Sequence, residues 1–165
     1  MIPIVSIVGR SKAGKTTLVV KLIKELKSRG YRVGVIKHDA HGFEIDYPGK
    51  DSWLHREAGA DIVTISSSSL FALVEKLTAE ISLDEIIARI ENVDLILTEG
   101  YKSENKPKIE VFRSPRSEKL YSKKEDLIAL ATNKPFKIGV PEFSLEDSSG
   151  LADLIEELFL KASLE

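Results

Sequence analysis

The sequence predicts an α/β protein with a mainly parallel sheet and helices on both of its faces. Three observations carry that expectation. Short apolar runs of β type alternate with amphipathic helical segments along the whole chain. The first such strand passes into the first helix through a glycine-rich octapeptide, Gly9-Arg10-Ser11-Lys12-Ala13-Gly14-Lys15-Thr16. The two least regular stretches, 38–50 and 101–124, are polar and each follows a strand, where open α/β sheets place their ligands.

The elements follow in order. Residues 4–8 form a short apolar run ending in Gly9, which reads as a buried strand. Across 17–29, Leu18, Leu22 and Leu26 recur every four residues with Val19 and Ile23 beside them, one face of a helix that Gly30 stops. Residues 31–37 return to strand composition. A short helix is expected over 51–58, then strands over 62–65 and 70–74 with the serine-rich 66–69 as the turn between them. Ser82-Leu83-Asp84-Glu85 has the form of a capping box and opens a helix with Leu83, Ile86, Ile87 and Ile90 on one side. Further strands are expected over 93–98, 108–112 and 127–131. A last helix aligns Leu151, Leu154, Ile155, Leu158 and Phe159 on one stripe.

Size and composition bound the function. A chain of 165 residues with 42% hydrophobic content can bury one core, so residues 1–165 are expected to be a single domain. Lys and Arg total 24 against 26 Asp and Glu, a net charge of −2, which offers no global excess for a nucleic acid backbone. No apolar run approaches the ~18 residues of a membrane span, and the N-terminus lacks a signal-peptide layout, so a cytoplasmic protein is the expectation. Cysteine is absent, which removes disulfides, thiolate metal sites and a Cys nucleophile.

The octapeptide matches G-x-x-x-x-G-K-[ST], and it lies between a buried strand and an amphipathic helix, as its chemistry requires. Glycines let the backbone close around phosphate oxygens, and the helix N-terminus adds partial positive charge. The nucleotide-binding set is therefore Gly9 to Thr17. Lys15 would reach the β- and γ-phosphates, and the Thr16 hydroxyl would hold Mg²⁺. The fold class becomes a P-loop NTPase-type three-layer αβα sandwich.

Such a site needs a second acid. Strand 93–98 carries Asp94 at its start and Glu99 just past its end. Five residues of strand span about 17 Å, so Asp94 lies too far from the phosphates. Glu99 is the expected Mg²⁺ and catalytic acid, with pairing to Lys102 as the alternative. Base identity stays open, because Asn133-Lys134 is followed by Pro135-Phe136 where the guanine motif N-K-x-D needs Asp. The chain also has no Gln to orient water, so hydrolysis is expected to be slow. Arg10, Arg113 and Arg116 could supply charge, but no motif places them. His38-x-x-His41 could ligate a metal on a helical turn. Without Cys or a third ligand, a polar loop near the phosphates is the stronger reading.

These residues resemble the molybdopterin-guanine dinucleotide biosynthesis adapter proteins, the MobB family. The resemblance runs through Ile7-Val8-Gly9, Gly14-Lys15-Thr16-Thr17-Leu18, Ile36-Lys37-His38-Asp39-Ala40-His41, Gly49-Lys50-Asp51-Ser52 and Ala58-Gly59-Ala60. It continues in Asp94-Leu95-Ile96-Leu97-Thr98-Glu99-Gly100-Tyr101-Lys102 and Pro107-Lys108-Ile109-Glu110-Val111. Arg10 and Lys12-Ala13 depart from the residues expected within the family's loop without replacing a required group. The resemblance implies a GTP-binding protein, a weak GTPase at most, that assists the molybdenum cofactor guanylyltransferase in attaching GMP to molybdopterin. It also implies a homodimer. Lys37, His38, His41, Asp51 and Lys102 are then assigned to a pterin or switch region.

Two other functions fit the loop. A small-molecule kinase would use Arg113-Ser114-Pro115-Arg116 as a basic lid, with Glu99 or Asp39 as base. A metal-delivery GTPase would need ligands that a chain without Cys supplies poorly. For the dimer contact, the charged 101–124 segment is a candidate surface, on the premise that strand 108–112 is an exposed edge, with a solvated loop as the equal alternative.

Overall fold

The computed structural model describes residues 2–40 and 42–161. The expected single domain meets two compact units, one drawn from 1–38 and 90–165 and the other from 39–89.

The first unit is built on a six-stranded sheet, with β1 (Ile4–Gly9), β2 (Val33–Lys37), β5 (Leu95–Glu99), β6 (Lys108–Phe112), β7 (Leu127–Thr132) and β8 (Glu142–Phe143). Their order is β2-β5-β1-β6-β7-β8, and every neighbouring pair is parallel. All C-terminal strand ends therefore face the same edge. Register sets Lys37 beside Glu99 and Gly9 beside Val111, so loops leaving β1, β2, β5 and β6 converge there.

Helices α1 (Lys15–Ser28) and α4 (Ser148–Ile155, continued by a π-helical turn Glu156–Leu160) pack on one sheet face. Leu18, Leu22 and Leu26 of α1 meet Val5, Ile7, Leu95, Leu97, Ile109 and Val111 in the core, as the four-residue spacing predicts. Arg29 ties the two helices through Glu25, Asp153 and Glu156 at 2.7–2.8 Å. Those carboxylates, Glu25 first, raise its already high pKa further.

The opposite face of β6 corrects the edge-strand expectation. All five residues of Lys108–Phe112 are buried, and β6 lies inside the sheet between β1 and β7. Its alternating charges reach the backbone of the 101–124 connection instead of water. Lys108 Nζ donates to the Glu104 carbonyl at 2.7 Å. Glu110 accepts the amides of Tyr121 and Ser122, each at 2.8 Å.

The second unit holds α2 (Asp51–Glu57), the antiparallel hairpin of β3 (Ile62–Ser66) and β4 (Phe71–Glu75), and α3 (Leu83–Ile87). The hairpin is a sheet of its own. Ser67 closes its turn, with its Oγ accepting the amides of Ser69 and Leu70. The expected capping box is formed: Ser82 Oγ accepts from the Glu85 amide at 3.2 Å, and the Glu85 carboxylate accepts from the Ser82 amide at 3.0 Å.

Candidate functional site

The loop from β1 to α1 has the shape its glycines allow. Gly9, Lys12 and Gly14 take φ of 138°, 61° and 108°. A side-chain carbon on Gly9 would lie 2.4 Å from the Val111 carbonyl oxygen, so the approach of β6 forbids one. Left-handed residues within such a turn aim successive amides into one concavity. Gly14 is the N-cap of α1 and brings no capping side chain, leaving the first-turn amides to an external acceptor. Ala13 is fully buried and seats the loop on the core.

A hollow of about 480 Å³ opens at this turn, lined by Ser11, Lys12, Gly14, Lys15, Thr16, Thr17, Lys37, His38, Glu99 and Gly100. Lys15 Nζ donates to the Arg10 carbonyl at 3.0 Å. Its pKa is lowered, first by burial and then by the charges of Lys102 and Lys37, with Glu99 opposing them. Cations gathered so closely favour a polyanion. Thr16 Oγ1 donates to Glu99 Oε1 at 2.7 Å, pairing a hydroxyl with a carboxylate at the mouth of the loop. Hard oxygen donors of this kind suit Mg²⁺.

Asp94 lies at the other end of β5, where Arg32 takes both its oxygens at 2.7 Å and 3.2 Å and lowers its pKa. Glu99 is thus the carboxylate beside the loop. The alternative partner Lys102 stands 4.3 Å over the Tyr121 ring. His38 follows β2 outside any helix and donates its amide to the Glu99 carbonyl at 3.0 Å. Its ring lies 4.9 Å from that of Tyr101, and Gly100 leaves room for it, since a carbon there would be 3.2 Å from His38 Cβ.

The remaining expected residues separate. The Arg10 side chain pairs with Glu118 at 3.2 Å and does not line the hollow. Asp51 begins α2 in the second unit, and His41 lies outside the described residues. Among the described residues no cluster of three or more His, Cys, Asp or Glu could hold a metal ion. Arg113 is the residue that no motif placed: its Nε donates to the Ala13 carbonyl at 3.1 Å. The 113–117 turn is fastened to the loop and to Asn133, which argues against a kinase lid.

A parallel sheet whose first strand enters α1 through this loop, with an acid at the end of the neighbouring strand, defines a P-loop NTPase-type fold. The family model for molybdopterin guanine dinucleotide synthesis protein B, MobB, matches residues 4–133. The chain belongs to the MobB family. It is 39% identical over 168 residues to the molybdopterin-guanine dinucleotide biosynthesis adapter protein of Escherichia coli, covering 98% of this chain and 95% of that one. The adapter protein of the same description from Haemophilus influenzae is 38% identical over 157 residues, covering 94% and 88%. A crystal structure of molybdopterin-guanine biosynthesis protein B superposes with a TM-score of 0.74 at 30% identity, covering 94% of this chain and 99% of that one. Bacillus subtilis MobB gives 0.72 at 26% identity, with coverages of 94% and 97%. Among the described residues no helix is long and apolar enough to cross a membrane.

Proposed function

We infer that this chain binds GTP with Mg²⁺ at the phosphate loop and works as an adapter in molybdenum cofactor biosynthesis. It would serve in the cytoplasm beside the guanylyltransferase that attaches GMP to molybdopterin. The observation that carries the reading is the Thr16–Glu99 hydrogen bond beside Lys15, which joins metal-ligand oxygens to a phosphate cradle. Thr16 and Glu99 would hold Mg²⁺, whose charge would screen the triphosphate. Lys15 and the amides from Gly14 to Thr17 would take the phosphate oxygens. The names of the E. coli and H. influenzae relatives support the pathway. Lys37 and His38 line the same hollow, which supports a role for them in meeting the pterin or its phosphate. Turnover stays slow, because the chain has no Gln to orient water. Two copies would pair through the β3–β4 hairpin.

Calorimetric titration of GTP, ATP and their diphosphates, each with and without Mg²⁺, tests the reading. GTP binds and Mg²⁺ strengthens it, while Lys15→Ala weakens triphosphate binding by about a hundredfold and leaves the melting temperature unchanged. GTP affinity that survives Lys15→Ala contradicts the assignment.

A further inference from the structure

Arg113 directly follows β6, and its guanidinium turns onto the phosphate loop. Besides the bond to the Ala13 carbonyl, Nη2 stands 3.4 Å from where a side-chain carbon on Gly14 would project. The segment it touches runs through Lys12 and Gly14 in left-handed conformations, which a free chain leaves readily. A charged donor fixed on a buried turn is stronger than a neutral one and resists that escape.

Arg113 is itself held. The Ser114 amide donates to Asn133 Oδ1 at 2.8 Å, and Asn133 Nδ2 donates to the Ser114 carbonyl at 3.0 Å. One amide side chain at the end of β7 thus fastens both backbone groups of the neighbouring residue. Ser117, 5% exposed, closes the turn from the other side. Its amide donates to the Arg113 carbonyl at 2.7 Å, and the Arg113 amide donates to its Oγ at 3.3 Å.

We propose that Arg113 is a positioning residue for the phosphate loop, and that Asn133 acts on a bound triphosphate through Ser114 and Arg113 instead of reading the base. The inference rests on the triphosphate reading of the loop. In this arrangement both polar atoms of the Asn133 side chain face Ser114, and the following Lys134-Pro135 supplies no carboxylate for a guanine edge. Selectivity between guanine and adenine then comes from other residues.

Hydrogen–deuterium exchange on the ligand-free protein is the first arm of the test. In Asn133→Ala and in Arg113→Ala, amides of 10–16 exchange about tenfold faster, while those of α4 keep their rate. Arg113→Lys, which retains a charged donor, restores most of the protection. Unchanged exchange at 10–16 in both alanine variants overturns the brace. The second arm titrates GTP, ATP and inorganic tripolyphosphate. Asn133→Ala loses about tenfold in affinity for all three alike; a loss confined to GTP assigns Asn133 to the base and overturns the proposal. Wild-type binding with unaltered variants removes the brace alone. A wild-type protein that takes up none of the three anions removes the triphosphate site together with any action of Asn133 on it.

Discussion

Glu99 and Asp94 flank the same strand, and their surroundings assign them different work. Asp94 answers a local demand: the backbone and side chain of Arg32 converge on it and hold its pKa below the ordinary aspartate value. Glu99 accepts from Thr16, the residue whose hydroxyl the loop motif reserves for a metal. Glu99→Ala should therefore reduce GTP affinity about tenfold or more in the presence of Mg²⁺ and very little in its absence. Asp94→Ala should leave both affinities near wild type and lower the melting temperature, because the Arg32 amide and guanidinium lose their acceptor. Paired titrations with and without the metal check this. The reverse order would move the acidic site to the start of β5.

At the scale of elements, the apolar runs of β1, β5 and β7 and the leucine spacing of α1 announced themselves, because burial on a helix or a parallel sheet leaves a direct periodic trace. Strand β6 did not. Its Lys108 and Glu110 alternate with Ile109 and Val111, which is the pattern of a strand with one face in water. Here the charged face is dry, 1% exposed at both residues, because backbone groups of the 101–124 connection, with the Asp126 carboxylate 3.2 Å from Lys108 Nζ, supply the partners. Partners made of main chain carry no sequence signature. Arg113 escaped for the same reason, since it meets a carbonyl and no motif encodes a carbonyl. Strand β8 has only two residues, too few for any period. The buried carboxylate of Glu110 gives this finding a test. Glu110→Ala strands the Tyr121 and Ser122 amides and should cost about 3 kcal/mol in urea unfolding. It should also raise exchange across 113–124, whereas an alanine at exposed Glu118 should cost under about 0.5 kcal/mol.

At the scale of the whole molecule, the apolar surface is unevenly shared. Most of the large exposed hydrophobic residues described fall within 39–89, including Phe43, Tyr47, Leu70 and Phe71, each at least 70% exposed. Ile62, Phe71 and Leu73 stand on one face of the hairpin, since Ile62 pairs with Glu75, Thr64 with Leu73 and Ser66 with Phe71. A two-stranded sheet is marginal alone and leaves each strand an unpaired edge. The interior position of β6 removes the exposed-edge premise for a contact at 108–112, so the proposed dimer is assigned to the hairpin instead. Phe71→Glu would place a carboxylate in the centre of that contact. It should weaken self-association by about a hundredfold in sedimentation equilibrium while GTP titrates as before, the phosphate loop belonging to the other unit. Leu158→Glu, on the half-exposed end of the last helix, should leave association intact. A Phe71→Glu protein that sediments like the wild type would falsify the hairpin contact.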